Sequence, residues 1–368
     1  MIRDIRISSL FIIFSAFVMI LMSCTNNRNV ATEKTVFAFY YNWYGNVDYN
    51  GKEIHWAHPV IAGGKDAKSV DYIPGGTDIA ANYYPELKNY SSTDTTVISI
   101  HMDMMARAKI DVAVVTWWGI NDFGASALPV IFREASKRNI KVSFHIEPYA
   151  KRSAESVRQD IAFLIERFGN SSSFYRMNGK PCFFIYDSYL TPASEWSRLC
   201  SVEGDLTIRG TNLDSNVIGL WVSEKEEDSF LEAGFDGLYT YFAASGFTYG
   251  STPANWLYMQ DWAMKNGKIF IPCIGPGYID TRIRPWNGST TRNRDNGEYY
   301  AEMFQAAVES GASCIGITSF NEWHEGTQIE PAIPFECETF KYLDYLPQSP
   351  DYYLNRTSEF VLKWKEGK

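Results

Sequence analysis

Histidine and cysteine are scarce in this chain, which holds five and six of them among 368 residues. The cysteines, at positions 24, 182, 200, 273, 314 and 337, match no zinc-binding spacing. Setting aside Cys24, which has a separate role below, leaves five, an odd number that cannot all pair. Cys182, Cys273 and Cys314 sit inside apolar runs, where a free thiol behaves as a small hydrophobe. Basic residues are also in deficit. With 34 Lys and Arg against 43 Asp and Glu, the formal net charge of −9 is the wrong sign for a phosphate backbone, so nucleic-acid binding is excluded. No glycine-rich phosphate turn is present, and His324-Glu325 lacks the HExxH spacing of a zinc helix. Neither a metal nor another cofactor is expected. The chain shows no low-complexity run, no short-period repeat and no second domain.

Apolar runs long enough to span a bilayer are missing too. The longest, residues 10–22, is short for a membrane helix and follows Arg3 and Arg6, the layout of a signal-peptide core. It ends in Leu21-Met22-Ser23-Cys24, which resembles a bacterial lipobox, where cleavage precedes the cysteine and its thiol is lipidated. The expected division is a lipoprotein signal peptide over 1–23, a lipidated Cys24 with a polar tether over 24–34, and one folded domain over 35–368. That places the protein in a bacterial cell envelope, held by lipid to a membrane, on the surface or the periplasmic face.

Aromatic side chains are plentiful. They make up 15% of the chain, with 11 Trp and 23 Tyr, and many stand beside polar residues at the ends of apparent strands. Aromatics are good core material, and indole and phenol faces also stack well on the C–H faces of sugars.

Apolar runs that read as strands begin near residues 36, 112, 142, 183, 217, 237, 269 and 313. Helical periods separate most of them, over 97–109, 128–138, 153–168, 224–233, 256–266 and 298–310, and a last helix covers 357–365. Eight such repeats fit an α/β fold of the (β/α)₈ TIM-barrel type, a single domain. A doubly wound open sheet is the other architecture this order allows. After the first strand comes a long insertion, from residue 46 to about 92, with turn signals at Gly63-Gly64 and Pro74-Gly75-Gly76 and with His55, Trp56, His58 and Asp78 inside it.

In a barrel the loops after the strands converge on one face. Tyr41, Trp43, Trp117, Trp118, His145, Glu147, Asp187, Tyr241, Asn321, Glu322 and Glu325 all follow strand ends. The richest stretch runs from the last strand through Ser319-Phe320-Asn321-Glu322-Trp323-His324-Glu325-Gly326. Two carboxylates on one loop suit glycoside cleavage, where one group protonates the departing oxygen and the other assists attack at the anomeric carbon. Alternatively, one of the two caps the loop or pairs with an arginine.

Asn321-Glu322-Trp323-His324-Glu325-Gly326-Thr327, followed by Glu330-Pro331, resembles glycoside hydrolase family 99, the endo-α-mannosidases and bacterial endo-α-1,2-mannanases. Similar support comes from Phe39-Tyr40-Tyr41-Asn42-Trp43-Tyr44, Thr116-Trp117-Trp118-Gly119, His145-Ile146-Glu147-Pro148-Tyr149 and Tyr239-Thr240-Tyr241. The resemblance implies a metal-independent barrel that cuts within an α-mannoside chain with retention. It gives Glu322 the part of base on the sugar's own 2-hydroxyl and Glu325 that of acid on the leaving oxygen, through a 1,2-anhydro sugar. It also implies that Glu147 binds the reacting sugar, that Tyr241 lies near the anomeric centre, and that Tyr41, Arg284 and Asn321 contact substrate. Trp117 would wall the preceding sugar, where bacterial members carry Trp and animal enzymes Tyr, which favours mannose there. The implied partner is α-mannan or a mannose-rich oligosaccharide. A related enzyme of polysaccharide biosynthesis and a non-catalytic glycan-binding lipoprotein are the competing readings.

Overall fold

The computed structural model of the chain describes residues 33–61 and 78–367. The expected signal peptide, Cys24, most of the tether, and the turn signals at Gly63-Gly64 and Pro74-Gly75-Gly76 lie outside the described residues.

Eight parallel strands, among the described residues, form a closed barrel. They are β1 (Thr35–Tyr40), β2 (Val112–Trp117), β3 (Lys141–Ile146), β4 (Lys180–Ile185), β5 (Asn216–Leu220), β6 (Gly237–Tyr239), β7 (Ile269–Ile271 with Cys273–Ile274) and β8 (Cys314–Ile317). Nearly every strand residue is buried, because helices cover the outside and side chains fill the inside. This is why the strands read as continuous apolar runs rather than alternating ones.

Closure depends on β7. Its first half pairs with β6 and its second half with β8, and Pro272 marks the change. Proline has no N–H to give a ladder, yet its carbonyl still accepts from Gly316 N–H at 2.9 Å. The sequence shows one apolar strand here, and the structure divides it without breaking the ring.

Register decides which residues fill the barrel. Phe37 lies opposite Val112, and Phe39 opposite Val114. Side chains alternate along a strand, so Phe37, Phe39 and Tyr41 share the inward face, and so do Val112, Val114, Thr116 and Trp118. Successive pairings carry the same parity to His145 and Glu147, Phe184 and Tyr186, and Tyr239 and Tyr241. The interior is accordingly aromatic, with Phe39 at 4.8 Å from the His145 ring and 5.7 Å from both Phe184 and Tyr239. One step further along each strand this aromatic column opens into a cleft.

The covering helices are α1 (Thr95–Arg107), α2 (Leu128–Lys137), α3 (Ala154–Phe168), α4 (Ala193–Cys200), α5 (Glu227–Ala233), α6 (Trp256–Lys265), α7 (Glu298–Glu309) and α8 (Tyr352–Glu366). Ser153 starts α3 with a reciprocal capping box to Ser156, and Asp94 caps α1 through Thr96 N–H. Two turns of α4 escaped the sequence reading because so short a helix shows little period. Trp196, Leu199 and Cys200 form its buried face. The final helix starts earlier than expected, as Tyr353 and Leu354 are already buried.

The insertion after β1 is not structureless where it is described. Asn46 caps a one-turn helix, Val47–Asn50, and Gly45 bridges to Ile54. Trp56 is fully buried and stacks on Tyr44 at 4.0 Å, and Tyr84–Pro85 pairs with Ala332–Ile333. Among the described residues no helix is long and apolar enough to cross a membrane.

Candidate active site

A cleft of about 260 Å³ opens at the C-terminal ends of the strands, lined among others by Tyr41, Trp43, His55, His58, Trp118, Glu147, Tyr241, Arg284, Glu322, His324 and Glu325. Residues separated by more than 200 positions meet there because every loop that follows a barrel strand emerges on this side.

Glu322 and Glu325 sit on the loop after β8. The Glu322 N–H donates to Ser319 Oγ at 2.7 Å, and its Oε1 accepts from His324 N–H at 3.1 Å. Its other oxygen, Oε2, is buried without a hydrogen-bond partner among the described residues. Burial, and then the nearby Glu325 charge, push the Glu322 carboxyl well above the usual carboxylate range. Burial raises Glu325 as well, but the adjacent Arg284 guanidinium opposes it. Arg284 reaches Glu325 Oε1 at 3.4 Å and is fixed by Asp280 Oδ2 at 3.0 Å. Asp280 is itself held by Tyr278 O–H and the Asn287 amide, both at 2.9 Å.

Glu147 enters from the end of β3. Its Oε1 lies 2.9 Å from His145 Nδ1, while His145 Nε2 lies 2.7 Å from Tyr239 O–H. A carboxylate can only accept, so Nδ1 carries the proton and Nε2 takes the tyrosine hydrogen. Tyr41 and Tyr241 reach in from β1 and β6 and join their hydroxyls in a short hydrogen bond. Tyr241 adopts a left-handed backbone, φ +48°, and stacks on His145 at 5.4 Å. Both hydroxyls are pushed up by burial.

Asn321 and Trp117 do not line the cleft. The Asn321 side chain is fully buried behind it, where Oδ1 accepts from Tyr41 N–H at 2.7 Å and Nδ2 donates to Tyr41 O at 2.9 Å and Tyr90 O–H at 3.1 Å. It ties the end of β1 to the carboxylate loop. Trp117 points outward and stacks on Phe163 of α3 at 5.7 Å; the indole that borders the cleft is the next one, Trp118. Below the loop, Glu330 is fully buried and accepts from Tyr90 O–H and Trp323 Nε1, both at 2.9 Å, and from His101 Nε2 at 3.1 Å. The Glu330-Pro331 pair of the motif therefore anchors the site from beneath.

Sequence reasoning missed a histidine cluster. His324 lies 5.0 Å from His58 and 6.1 Å from His55, ring to ring. Burial holds all three below the ordinary histidine value, His55 at about 4, helped by repulsion from neighbouring histidines at His55 and His324 and from Arg284 at His58. His324 Nδ1 faces the Ala80 carbonyl at 2.8 Å, so it holds the ring proton, and Nε2 presents a lone pair with no donor among the described residues. No group of three or more His, Cys, Asp or Glu among the described residues is placed to hold a metal ion. His55 and His58 lie more than 260 residues from His324 in sequence, and the fold of the insertion brings them together. Tyr186, at the inward end of β4, also went unnoticed, though its parity with Phe184 carries it into the cleft.

Known proteins resemble this chain over most of its length. The family profile of glycosyl hydrolase family 99 matches residues 31–366. The chain is 45% identical over 346 residues to the glycoprotein endo-alpha-1,2-mannosidase of Rattus norvegicus, an alignment spanning 90% of this chain and 74% of that one. It is 43% identical over 347 residues to the glycoprotein endo-alpha-1,2-mannosidase-like protein of Homo sapiens, spanning 89% and 76%. The structure of the GH99 endo-alpha-mannosidase from Bacteroides thetaiotaomicron matches with a TM-score of 0.88 at 50% identity, over 91% of this chain and 98% of that one. By motif, sequence and fold, this chain belongs to glycosyl hydrolase family 99.

Proposed function

We propose that this chain cleaves α-1,2-mannosidic linkages inside mannan or high-mannose glycans, with retention of configuration. The observation that carries the reading is the pair Glu322 and Glu325, one buried and one half-buried carboxylate on one loop in one cleft with unequal surroundings. Relatives named as endo-alpha-1,2-mannosidases support the linkage. A capture protein without chemistry has no need of a matched carboxylate pair, and membership of a hydrolase family argues against biosynthesis.

In this reading the Glu322 carboxylate removes the proton of the sugar's own 2-hydroxyl while the 2-oxygen attacks the anomeric carbon. The carbon–oxygen bond to the leaving sugar breaks, and Glu325 gives that oxygen its proton. The axial 2-oxygen of an α-mannoside lies opposite the leaving group, and its enforced proximity lowers the barrier. The product is a 1,2-anhydro sugar. Water then adds at the anomeric carbon, giving its proton to Glu325, while Glu322 returns a proton to the 2-oxygen. Two inversions amount to retention.

The protein's own groups favour the opposite proton placement. Arg284 stands directly beside Glu325 and acts on Glu322 only from further away, so the proton rests more on Glu322. Substrate reverses this. A 2-hydroxyl donating to the unpartnered Glu322 Oε2 stabilises the carboxylate, and a glycosidic oxygen accepting from Glu325 stabilises the acid. Glu147 binds the reacting sugar, with Tyr41, Tyr241 and Arg284 around it. Asn321 acts by positioning. Trp118 takes the wall of the preceding sugar.

Incubation with α-1,2-linked mannan tests the reading. New internal reducing ends whose first-formed anomer is α support it, whereas release of terminal mannose alone, or a β first product, overturns it. Lipidation of Cys24 completes the proposal: Cys24→Ala would move the protein from the membrane fraction to the soluble one.

A further inference from the structure

A second cavity, of about 630 Å³, lies beside the cleft and shares the Trp118 indole with it. Its volume falls within the range of built ligand sites. One wall is the loop that follows β2, with Ile120 and Asn121 exposed at the rim, and the other is the first half of α3, with Gln159 and Asp160. Trp117 and Phe163, stacked at an interplanar angle of 23°, form the floor.

The chemistry of this lining is selective. The part-exposed rings of Trp118 and Tyr149 supply apolar faces, while amides and carboxylates supply donors and acceptors around them. Asp122 and Asp160 are the charged lining residues, and no lysine or arginine lines the cavity. A phosphorylated, sulfated or uronic ligand would meet two carboxylates with no cation to offset them. A neutral polyol suits both parts, since its C–H faces cover the rings and its hydroxyls donate to the carboxylates.

The geometry points to this cavity as an additional sugar subsite, holding a further mannose unit or branch of the same chain beyond those in the cleft. It rests on the endo-mannosidase reading and extends it, because an enzyme that cuts internally must grip the chain away from the scissile bond. Continuity across Trp118 makes one chain the natural occupant of both cavities. Trp117, buried against Phe163, then supports the floor beneath that sugar, and Trp118 is the indole that meets the chain.

The test uses α-1,2-linked mannan oligosaccharides of increasing length with the wild type, Gln159→Trp, which fills the cavity, and Asn121→Ala, which removes a rim amide. Both positions are exposed, so neither change threatens folding. In the wild type kcat/KM is expected to keep rising beyond the shortest cleaved oligosaccharide. Gln159→Trp should remove about tenfold of that gain, and Asn121→Ala part of it, while the shortest substrate is cleaved as before. Calorimetric binding to Glu322→Gln, with and without Gln159→Trp, should show the same dependence on length. Mannan cleavage with a length profile that neither variant alters would overturn the subsite alone. No cleavage of any mannan by the wild type would overturn the underlying reading, and the subsite with it.

Discussion

The Arg294 guanidinium donates from Nη2 to the carbonyl of Gly326 at 3.0 Å, and the same nitrogen donates to Gln328 O at 2.7 Å. The cation is caged by Tyr353, Tyr83 and Tyr345, whose ring centres lie 4.5, 4.7 and 4.8 Å away. A buried charge thus clamps the far side of the loop that presents Glu325.

Replacing that clamp should cost both stability and turnover. Arg294→Met leaves two buried carbonyls without a donor and removes the cation from its rings, a loss of about 2–4 kcal/mol. Arg294→Lys keeps charge but not the planar fork, and should fall between. Denaturant titration gives the stability, and kcat should drop more than KM rises. An Arg294→Met protein with wild-type kcat per folded molecule would show that the clamp does not position Glu325.

Gly326 has its own requirement. Its φ is +60°, and a Cβ built there would stand 2.6 Å from Ile279 Cγ2 and 2.8 Å from the Ile279 carbonyl. Gly326→Ala should therefore destabilise by about 1–3 kcal/mol. It should also shift Glu325, whose carbonyl accepts from Ile279 N–H at 2.8 Å, and lower kcat at least tenfold. Thermal melts and initial rates measure the two effects separately.

Glu322→Gln and Glu325→Gln should each reduce turnover roughly 10²–10⁴-fold and yet raise stability at neutral pH. Both carboxyls are raised in the folded state, so the unfolded chain ionises first. Their contribution is complete below the unfolded carboxylate value, about 4.5, and is lost as pH rises through the folded values. The Gln variants escape this loss. Melting midpoints should match the wild type near pH 4 and exceed it at pH 8, most at Glu322→Gln, because the Glu322 carboxyl has no ion pair of the kind Arg284 makes with Glu325.

The histidine cluster works in the other direction. His55 is lowered from 6.5 to about 4, so below pH 6.5 the unfolded chain takes up a proton that the folded one refuses. Stability falls as pH drops through that window, by roughly 3–4 kcal/mol for this residue at full extent. His58 repels His55, and His324 is lowered in turn by His58, His55 and Arg284, so the cluster adds to the effect through like-charge repulsion. His55→Gln should melt later than the wild type at pH 4.5 relative to their difference at pH 7. Parallel melting curves across that range would remove His55 from the cluster's titration.

Much of this was legible before the fold. Strand starts, most helices and the motif around Glu322 and Glu325 came directly from apolar runs and periodicity, since parallel strands buried on both faces advertise themselves. The two turns of α4 did not, being too short for a period. The neighbours Trp117 and Trp118 show where local reading stops. Either indole could face the cleft, and the choice follows from Phe37 standing opposite Val112, a pairing between strands more than 70 residues apart.

The sequence by itself determined the architecture, the family and the carboxylate pair, because each is carried by neighbouring residues whose pattern or identity is visible locally. Only the tertiary structure decided the surroundings: Arg284 against Glu325, three histidines beside Glu322, Asn321 turned inward, and a second cavity past Trp118. Those depend on which distant loops meet at the barrel mouth, and electrostatics and burial, which set what a carboxylate can do, are properties of that meeting.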